Sequence, residues 1–270
     1  MPTASHQETS VTKAFDSAAR SYDATFEFNG RTRRIREKIH SLINTLAVPP
    51  SAVLDINCGT GTDAVLLATM GYNVVGVDLS PLMINEARRK SGGLGNVRFH
   101  EGTYHDLSVL KDDRFDVVLS NFGGLNCTSD ITGAAAEVAR FLKPAGYFVA
   151  VVMPPVSLWD VGAKVAKGRF ATVARRAVLR ETTADFEGGS IRVYYHSPAA
   201  LSRGFKPFFR RGDLIGLNIF GPPPRNGRFA TTFKWISQAL DRVDDLTGHL
   251  PIVRSLGDHY VAVFQKAEKR

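Results

Sequence analysis

Short runs of β-branched residues alternate with longer amphipathic stretches between Val53 and Met153. This alternation is typical of βαβ units, and it predicts a mostly parallel sheet with helices on both faces. Ser80 followed by Pro81 is a typical helix start. We predict strands at residues 52–56, 73–79, 97–101, 115–121 and 147–153, with helices at about 60–70, 81–90 and 131–142. The fold class that follows is α/β and doubly wound.

The alternation stops after Met153, where two prolines come before about forty residues that we interpret as basic and helical. Strands are predicted again at 211–220 and 259–265, and they are candidates for the antiparallel edge of a mixed sheet. The sequence further indicates helices at 11–23, 33–46 and 231–245.

Composition excludes several classes of protein. The 270 residues are 44% hydrophobic, which is a globular composition, and their two cysteines exclude a disulfide framework. We find no structural-zinc spacing, no secretory leader and no apolar run long enough for a membrane span, so we expect a cytoplasmic protein without metal.

The net charge of +8 lies in one segment. Residues 161–211 contain eleven Lys or Arg and three Asp or Glu, so 11 − 3 = +8. This surplus fits an acidic substrate or an acidic carrier protein, or else a solvated helical face whose side chains cover the core. The two alternatives stay open at this stage.

The most informative segment is Val53-Leu54-Asp55-Ile56-Asn57-Cys58-Gly59-Thr60-Gly61-Thr62-Asp63, a buried strand that leads into a glycine turn and a helix. Two glycines allow a ligand to approach the backbone, and Asp78 follows Gly59 by 19 residues at the end of the next strand. That spacing is typical of a carboxylate that binds a ribose. The segment therefore predicts a nucleoside site.

The charges of the turn indicate which nucleoside binds. Asp55 and Asp63 would repel a pyrophosphate, and Ala64 stands where a dinucleotide site usually has its third glycine. A ligand with an ammonium and a sulfonium suits these carboxylates. We therefore expect S-adenosylmethionine as the cofactor.

Several motifs now resemble those of the class I S-adenosylmethionine-dependent methyltransferases, in their small-molecule branch. The matching segments are 14–23, 53–61, 77–83, 99–107, 115–122 and 142–146. The resemblance implies a Rossmann-like, mostly parallel seven-stranded sheet with an antiparallel last strand. It also implies a single domain made of an N-terminal helical cap (1–47), a cofactor-binding core (48–153), an inserted basic lid after strand five (154–206) and a C-terminal completion of the sheet (207–270).

The same resemblance implies a set of cofactor contacts. They are Tyr22, Asp55, Asn57, Cys58, Gly59, Gly61, Asp78, Leu79, Met83, Thr103, Tyr104, His105, Asn121 and Phe122. Two positions depart from the family pattern: Asn57 replaces the usual glycine, and Thr103 replaces an acidic residue that often binds the adenine amino group.

Methyl transfer is a direct displacement, so it needs alignment and exclusion of water more than a catalytic triad or a metal. A general base matters only if the acceptor must lose a proton. His105 and Asn126 are the candidate catalytic residues, and Asn126, Trp159, Tyr194 and Tyr195 are candidates for acceptor contacts, with structural packing as the alternative for each.

Two other functions are compatible with these motifs. One is attack on the aminobutyrate carbon of S-adenosylmethionine, which gives azetidine-2-carboxylate and methylthioadenosine, and the other is nucleoside binding without catalysis. Asn121-Phe122-Gly123-Gly124 lacks the Asn-Pro-Pro-aromatic pattern that grips a flipped base, which argues against a nucleic-acid substrate.

Overall fold

The computed structural model describes residues 6–27, 30–166, 168, 177–186, 188–224 and 227–268. Its centre is a seven-stranded sheet with the strand order β3-β2-β1-β4-β5-β9-β8. The strands of this sheet are β1 (Ala52–Ile56), β2 (Asn73–Asp78), β3 (Val97–Glu101), β4 (Phe115–Ser120), β5 (Leu142–Val152), β8 (Phe209–Leu217) and β9 (His259–Lys266). Strands β6 (Glu181–Phe186) and β7 (Gly189–Tyr194) form a separate antiparallel hairpin.

The first five strands pair in parallel, and β9 runs antiparallel to both β5 and β8. The predicted mostly parallel seven-stranded sheet with an antiparallel last strand is thus confirmed. Alternate residues of each strand face opposite sides of the sheet: Leu54 and Ile56 belong to one buried cluster, and Val53 belongs to the other. Strands buried on both faces explain the continuous apolar runs in the sequence.

Helices cover the sheet and its carboxyl edge. They are α1 (His6–Tyr22), α2 (Gly30–Leu46), α3 (Thr62–Thr69), α4 (Pro81–Lys90), α5 (Ile131–Phe141), α6 (Leu158–Val165), α7 (Pro198–Phe205), α8 (Gly227–Thr232) and α9 (Lys234–Thr247). A short π-helix, Asp23–Glu27, extends α1. Among the described residues, no helix combines the length and the apolar character that crossing a membrane requires.

The interpretation of the insertion as basic and helical is wrong for residues 181–186 and 189–194. These residues form the β6–β7 hairpin, in which Ile191 and Val193 are buried while Arg192 between them is exposed. This period of two belongs to a strand with one buried face, and it is too short to stand out against the surrounding charge. Four of the eleven basic residues counted in the insertion (167, 169, 175 and 176) lie outside the described residues.

The predicted helix at 231–245 is also divided in the structure. Helix α8 ends at Thr232 and α9 begins at Lys234, because Phe233 between them has a non-helical backbone (φ −112°, ψ 55°). The four-segment division of the chain stays a prediction.

Candidate active site at the carboxyl edge of the sheet

A cavity that is open to solvent lies at the carboxyl ends of the parallel strands. In open α/β sheets, this edge is where ligands bind. The strand turns and the first turns of α3 and α4 contribute Asp55, Asn57, Cys58, Gly59, Thr60, Thr62, Asp63, Asp78, Leu79, Met83, Thr103, Tyr104, Asn121, Phe122, Gly123, Gly124 and Cys127 to the wall. Helices α1 and α2 contribute Gln7, Glu8, Val11, Phe15, Tyr22 and Arg36.

The two glycines of the turn after β1 have different roles. Both have a positive φ, +54° at Gly59 and +74° at Gly61. A Cβ added at Gly59 would meet no atom within 4 Å, whereas one at Gly61 would lie 2.7 Å from the Ala87 Cβ and 2.9 Å from the Phe99 ring. Gly59 therefore lets a ligand approach the backbone, and Gly61 lets α4 and β3 pack against the turn.

We predict that Gly61→Ala and Gly59→Ala separate these roles. Both substitutions place a side chain at a positive φ, which costs about 1–2 kcal/mol. Gly61→Ala is expected to lose about 1–3 kcal/mol more, because its methyl group overpacks the core. Urea denaturation measures this difference. Equal stabilities of the two variants would contradict the packing role of Gly61.

Asn57 adopts a left-handed backbone, with φ at +59°. Asparagine tolerates this conformation better than most residues, which explains how it replaces a glycine here. Its side chain packs against Gly124, where an added Cβ would lie 2.5 Å from the Asn57 Oδ1. The missing side chain at Gly124 thus compensates for the extra one at Asn57.

Asp55 is a buried carboxyl that faces the cavity. Only 2% of the residue is exposed, and its Oδ2 has no hydrogen-bond partner among the described residues. Burial, followed by the negative charge of Asp63, raises the pKa of Asp55 well above its usual range. A buried acceptor without a donor is costly, so this oxygen fits a cationic or N–H-bearing ligand group.

The negative charge of Asp63 is stabilised by hydrogen bonds from its neighbours. Arg36 Nε donates to its Oδ1 at 2.8 Å, His40 Nε2 lies 2.7 Å from the same oxygen, and Asn121 Nδ2 donates to Oδ2 at 3.1 Å. Burial alone would raise the pKa of Asp63, but Arg36 and His40 outweigh burial and hold it well below its usual range. The Arg36 guanidinium also lies 5.0 Å from the centre of the Phe122 ring.

Asp78 is the last residue of β2, and both of its carboxylate oxygens accept hydrogen bonds from backbone N–H groups. The Gly59 N–H donates to Oδ2 and the Ser80 N–H donates to Oδ1, each at 2.9 Å. Burial raises the pKa of Asp78, although these two bonds oppose the rise. The Leu79 N–H is a third backbone donor, and the carboxylate keeps at least one further lone pair for a ligand hydroxyl. Leu79 and Met83 supply apolar surface beside it.

The loop after β3 divides the predicted contacts. Thr103 and Tyr104 line the cavity, whereas His105 is not among the lining residues. The His105 Nε2 lies 3.0 Å from the Thr128 Oγ1, and its backbone N–H donates to the Thr103 Oγ1 at 3.3 Å. The structure therefore directs the imidazole of His105 toward Thr128.

Asn126 connects the turn after β4 to the chain around it. Its Nδ2 donates to the Met153 and Tyr194 carbonyls at 3.1 and 2.6 Å, and its Oδ1 accepts the Met153 N–H at 2.9 Å. Its amide is thus committed to backbone groups, and it does not line the cavity. The side chains of Trp159, Tyr194 and Tyr195 do not line it either, and the Trp159 ring packs at 5.2 Å from that of Phe229.

Comparison with known proteins agrees with this geometry. The model of a family described as a methyltransferase domain matches residues 53–146. These residues form a methyltransferase domain. The match contains the β1 turn, Asp78 and the β4 turn, and so it contains most of the cavity wall contributed by the strands.

Curated relatives of the methyltransferase domain are methyltransferases too. A demethylmenaquinone methyltransferase of Clavibacter sepedonicus is 35% identical over 153 residues, which cover 55% of this chain and 60% of that protein. The chain thus spans less than two thirds of this relative. A malonyl-[acyl-carrier protein] O-methyltransferase of Halorhodospira halophila is 29% identical over 209 residues, covering 73% of this chain and 69% of that protein.

Solved structures share the fold over nearly the whole chain. The CcbJ methyltransferase from Streptomyces caelestis has a TM-score of 0.62 at 18% identity, covering 95% of this chain and 98% of its own. The N-methyltransferase NodS from Bradyrhizobium japonicum, solved with S-adenosyl-L-homocysteine, has a TM-score of 0.59 at 13% identity, covering 98% and 100%.

Two helices outside the methyltransferase domain supply cavity residues that the sequence analysis missed. Glu8, Val11 and Phe15 lie along one stripe of α1, together with the predicted contact Tyr22, and Arg36 comes from the buried face of α2. The helical spacing of the α1 residues was visible in the sequence. That this stripe faces the cavity was not, because it depends on where α1 packs.

Proposed function

We propose that this protein is an S-adenosylmethionine-dependent methyltransferase that acts on a small-molecule acceptor. The observation that carries the proposal is the unpartnered Asp55 carboxyl beside the open Gly59 backbone, inside a methyltransferase domain. An amino acid ammonium is the ligand group that such a carboxylate would bind.

The residues of the cavity fit this cofactor along its length. In the proposal, Asp55 and the Asn57–Gly59 backbone bind its amino acid portion, Arg36 lies close enough to the same wall to bind its carboxylate, and Asp78 binds its ribose. Leu79, Met83, Thr103 and Tyr104 surround its adenine. When bound, S-adenosylmethionine supplies a methyl group activated by a positive sulfur.

In the proposal, helix α1 excludes water from the site. The Asp16 carboxylate accepts hydrogen bonds from the Ser80 Oγ and the Leu82 N–H, at 2.5 and 3.2 Å, and Asp23 accepts one from the Thr60 Oγ1 at 2.6 Å. Lys90 forms an ion pair with Asp23 at 2.7 Å. These bonds hold the Phe15 and Tyr22 rings over the cavity, and a dry site strengthens the electrostatic contacts within it.

The catalytic roles of His105 and Asn126 stay predictions. Neither side chain lines the cavity, and both are hydrogen-bonded elsewhere. An acceptor whose nucleophile is already unprotonated needs no base, which suits a wall that contains no histidine among the described residues.

The acceptor itself is a small molecule in this proposal, free or attached to an acidic carrier protein. The carrier alternative draws support from the basic surplus of residues 161–211 and from the name of the Halorhodospira halophila relative. The names of the relatives favour methyl transfer over cyclisation of the cofactor. Action in the cytoplasm is a further part of the proposal, supported by two cysteines that are both free thiols.

Calorimetry with S-adenosylmethionine and S-adenosylhomocysteine tests the proposal. We expect micromolar binding of both, and then S-adenosylhomocysteine together with a product heavier by one methylene when acceptors are added, as identified by mass spectrometry. Methylthioadenosine formed without an acceptor would instead indicate cyclisation. Failure to bind either nucleoside would overturn the proposal.

A further inference from the structure

The described part of the cavity wall contains four acidic side chains, and three of them have an evident role. Asp63 is paired with Arg36 and His40, Asp78 lies at the ribose position, and Asp55 has the unpartnered oxygen beside the β1 turn. The fourth is Glu8 of α1. A role for Glu8 in cofactor binding rests on the proposed function.

The start of α1 is fixed by hydrogen bonds to two other segments. The Gln7 Nε2 donates to the carbonyl of Arg192 on β7 at 2.9 Å, and to the carbonyl of Cys127 after β4 at 3.4 Å. Farther along α1, Asp16 bonds to Ser80 at the start of α4. Glu8, next to Gln7, is therefore held over the part of the cavity that lies between the β4 turn and α4.

This part of the cavity includes the loop after β3. Burial raises the pKa of the Tyr104 hydroxyl well above its usual range, and the charges of Cys127 and Glu8 add to the rise. The carboxylate of Glu8 thus acts electrostatically on the residue that follows Thr103. Both Thr103 and Tyr104 line the cavity together with Leu79 and Met83.

Few groups in this corner can accept a hydrogen bond from an amine. Leu79 and Met83 are apolar. The Thr103 Oγ1, which already accepts the His105 N–H, and the Tyr104 hydroxyl are neutral acceptors and therefore weaker than a carboxylate. The exocyclic amine of a bound adenine would need an acceptor here, because an unpaired polar group is costly when it leaves water. The carboxylate of Glu8 is a strong acceptor on the same wall.

We propose that Glu8 accepts a hydrogen bond from the exocyclic amine of the adenine, so that the cap helix α1 selects the base of the cofactor. A carboxylate accepts from the amine of a 6-aminopurine and repels the carbonyl oxygen of a 6-oxopurine. A site built around such a bond rejects the analogue that lacks it. Glu8 would then supply the acidic group that Thr103 does not.

The test compares S-adenosylhomocysteine with its 6-oxopurine analogue, S-inosylhomocysteine, by calorimetry. We expect the wild-type protein to prefer the adenine ligand by about 30-fold or more. This preference corresponds to about 2 kcal/mol, because each tenfold is worth about 1.4 kcal/mol. In Glu8→Gln, the side-chain amide can accept from the amine or donate to the carbonyl oxygen. The preference is therefore expected to fall at least tenfold, mainly through tighter binding of the 6-oxopurine.

Glu86→Gln is the matched control. Glu86 lies on α4, pairs with Arg89 at 2.6 Å and does not line the cavity, so the preference should stay at the wild-type value. If the wild-type protein binds neither ligand, the proposed function fails. If the wild-type protein binds S-adenosylhomocysteine but Glu8→Gln keeps the wild-type preference, the role of Glu8 is overturned and the proposed function stands. A variant in which only the KM of an acceptor changes also overturns the role of Glu8.

Discussion

Asp55→Asn is expected to make the ligand-free protein more stable and to remove most of its affinity for S-adenosylmethionine. The Asp55 side chain is buried, and one of its oxygens has no partner among the described residues. An unsatisfied buried polar group costs about 1–3 kcal/mol, and more when it is charged. Asparagine is neutral at every pH, and its Oδ1 can keep the hydrogen bond that Asp55 accepts from the Ala64 N–H.

The affinity should change in the opposite direction. A hydrogen bond to a charged group contributes about 1.5–3 kcal/mol, so losing the carboxylate should weaken binding by up to about 100-fold. Calorimetry and urea denaturation measure the two effects on the same preparation. Asp113→Asn removes an exposed carboxylate that pairs with Arg98, and as the control it should change neither quantity. A variant that is less stable and binds normally would contradict this role of Asp55.

The pH dependence of stability gives Asp55 a second signature. Its pKa in the folded protein is raised, so between the usual value near 4 and that raised value the folded state retains a proton that the unfolded state has lost. The stability of the wild-type protein therefore falls as the pH rises through this window. Asp55→Asn has no group at this position that titrates. The variant should therefore be only slightly more stable than the wild-type protein at pH 4, and the difference should grow toward neutral pH.

Local sequence patterns were sufficient to place the strand turns that line the cavity. Strand β1 lies at 52–56 and α4 at 81–90, as predicted, and the Ser80 Oγ accepts the Met83 N–H at 3.1 Å as an N-cap. Each of these features depends on residues close together in the chain. A parallel sheet then brings the ends of β1, β2 and β4 to one edge, so the neighbourhood of Asp55, Asp78 and Asn121 follows from topology.

The contacts that the N-terminal helices and the β6–β7 hairpin make with the sheet could not be predicted in the same way. Asn126 was a candidate for a site role because it follows β4, but its amide bonds to Tyr194, 68 residues away. Arg36 and Asp63 are 27 residues apart, and no local pattern shows that they meet. These contacts depend on how α1, α2 and the β6–β7 hairpin pack over the sheet. That packing is set by the shapes of the side chains in contact, and not by the spacing of apolar residues along each helix or strand.

Arg36→Met is expected to cause the largest loss of stability among the substitutions considered. The Arg36 and Asp63 side chains are each 7% exposed, and breaking a buried ion pair costs about 3–5 kcal/mol because one charge stays buried without its partner. Arg34→Met removes an exposed ion pair with Asp245 from the same helix, and should cost no more than about 1 kcal/mol. Urea denaturation of the two variants at pH 7 makes the comparison.

Adding Asp63→Asn to Arg36→Met should restore part of the stability, because the double variant buries neither charge. This recovery distinguishes an unpaired charge from the lost contact of the Arg36 guanidinium with the Phe122 ring, which a second substitution at Asp63 would not repair. A double variant less stable than Arg36→Met would contradict the charge explanation. The same cycle would leave the Arg34–Asp245 pair unaffected.

Acid provides the decisive check on this pair, since the sign of its effect is opposite to that of Asp55. The pKa of Asp63 is lowered in the folded protein, so the stability it contributes is fully present above the unfolded value near 4 and is lost as the pH falls below it. Without Arg36, burial raises the pKa of Asp63 in the variant, so the variant takes up this proton at a higher pH than the wild-type protein does. The stability difference between the wild-type protein and Arg36→Met should therefore shrink on acidification. A difference that widens on acidification would mean that Arg36 stabilises the fold through some group other than Asp63.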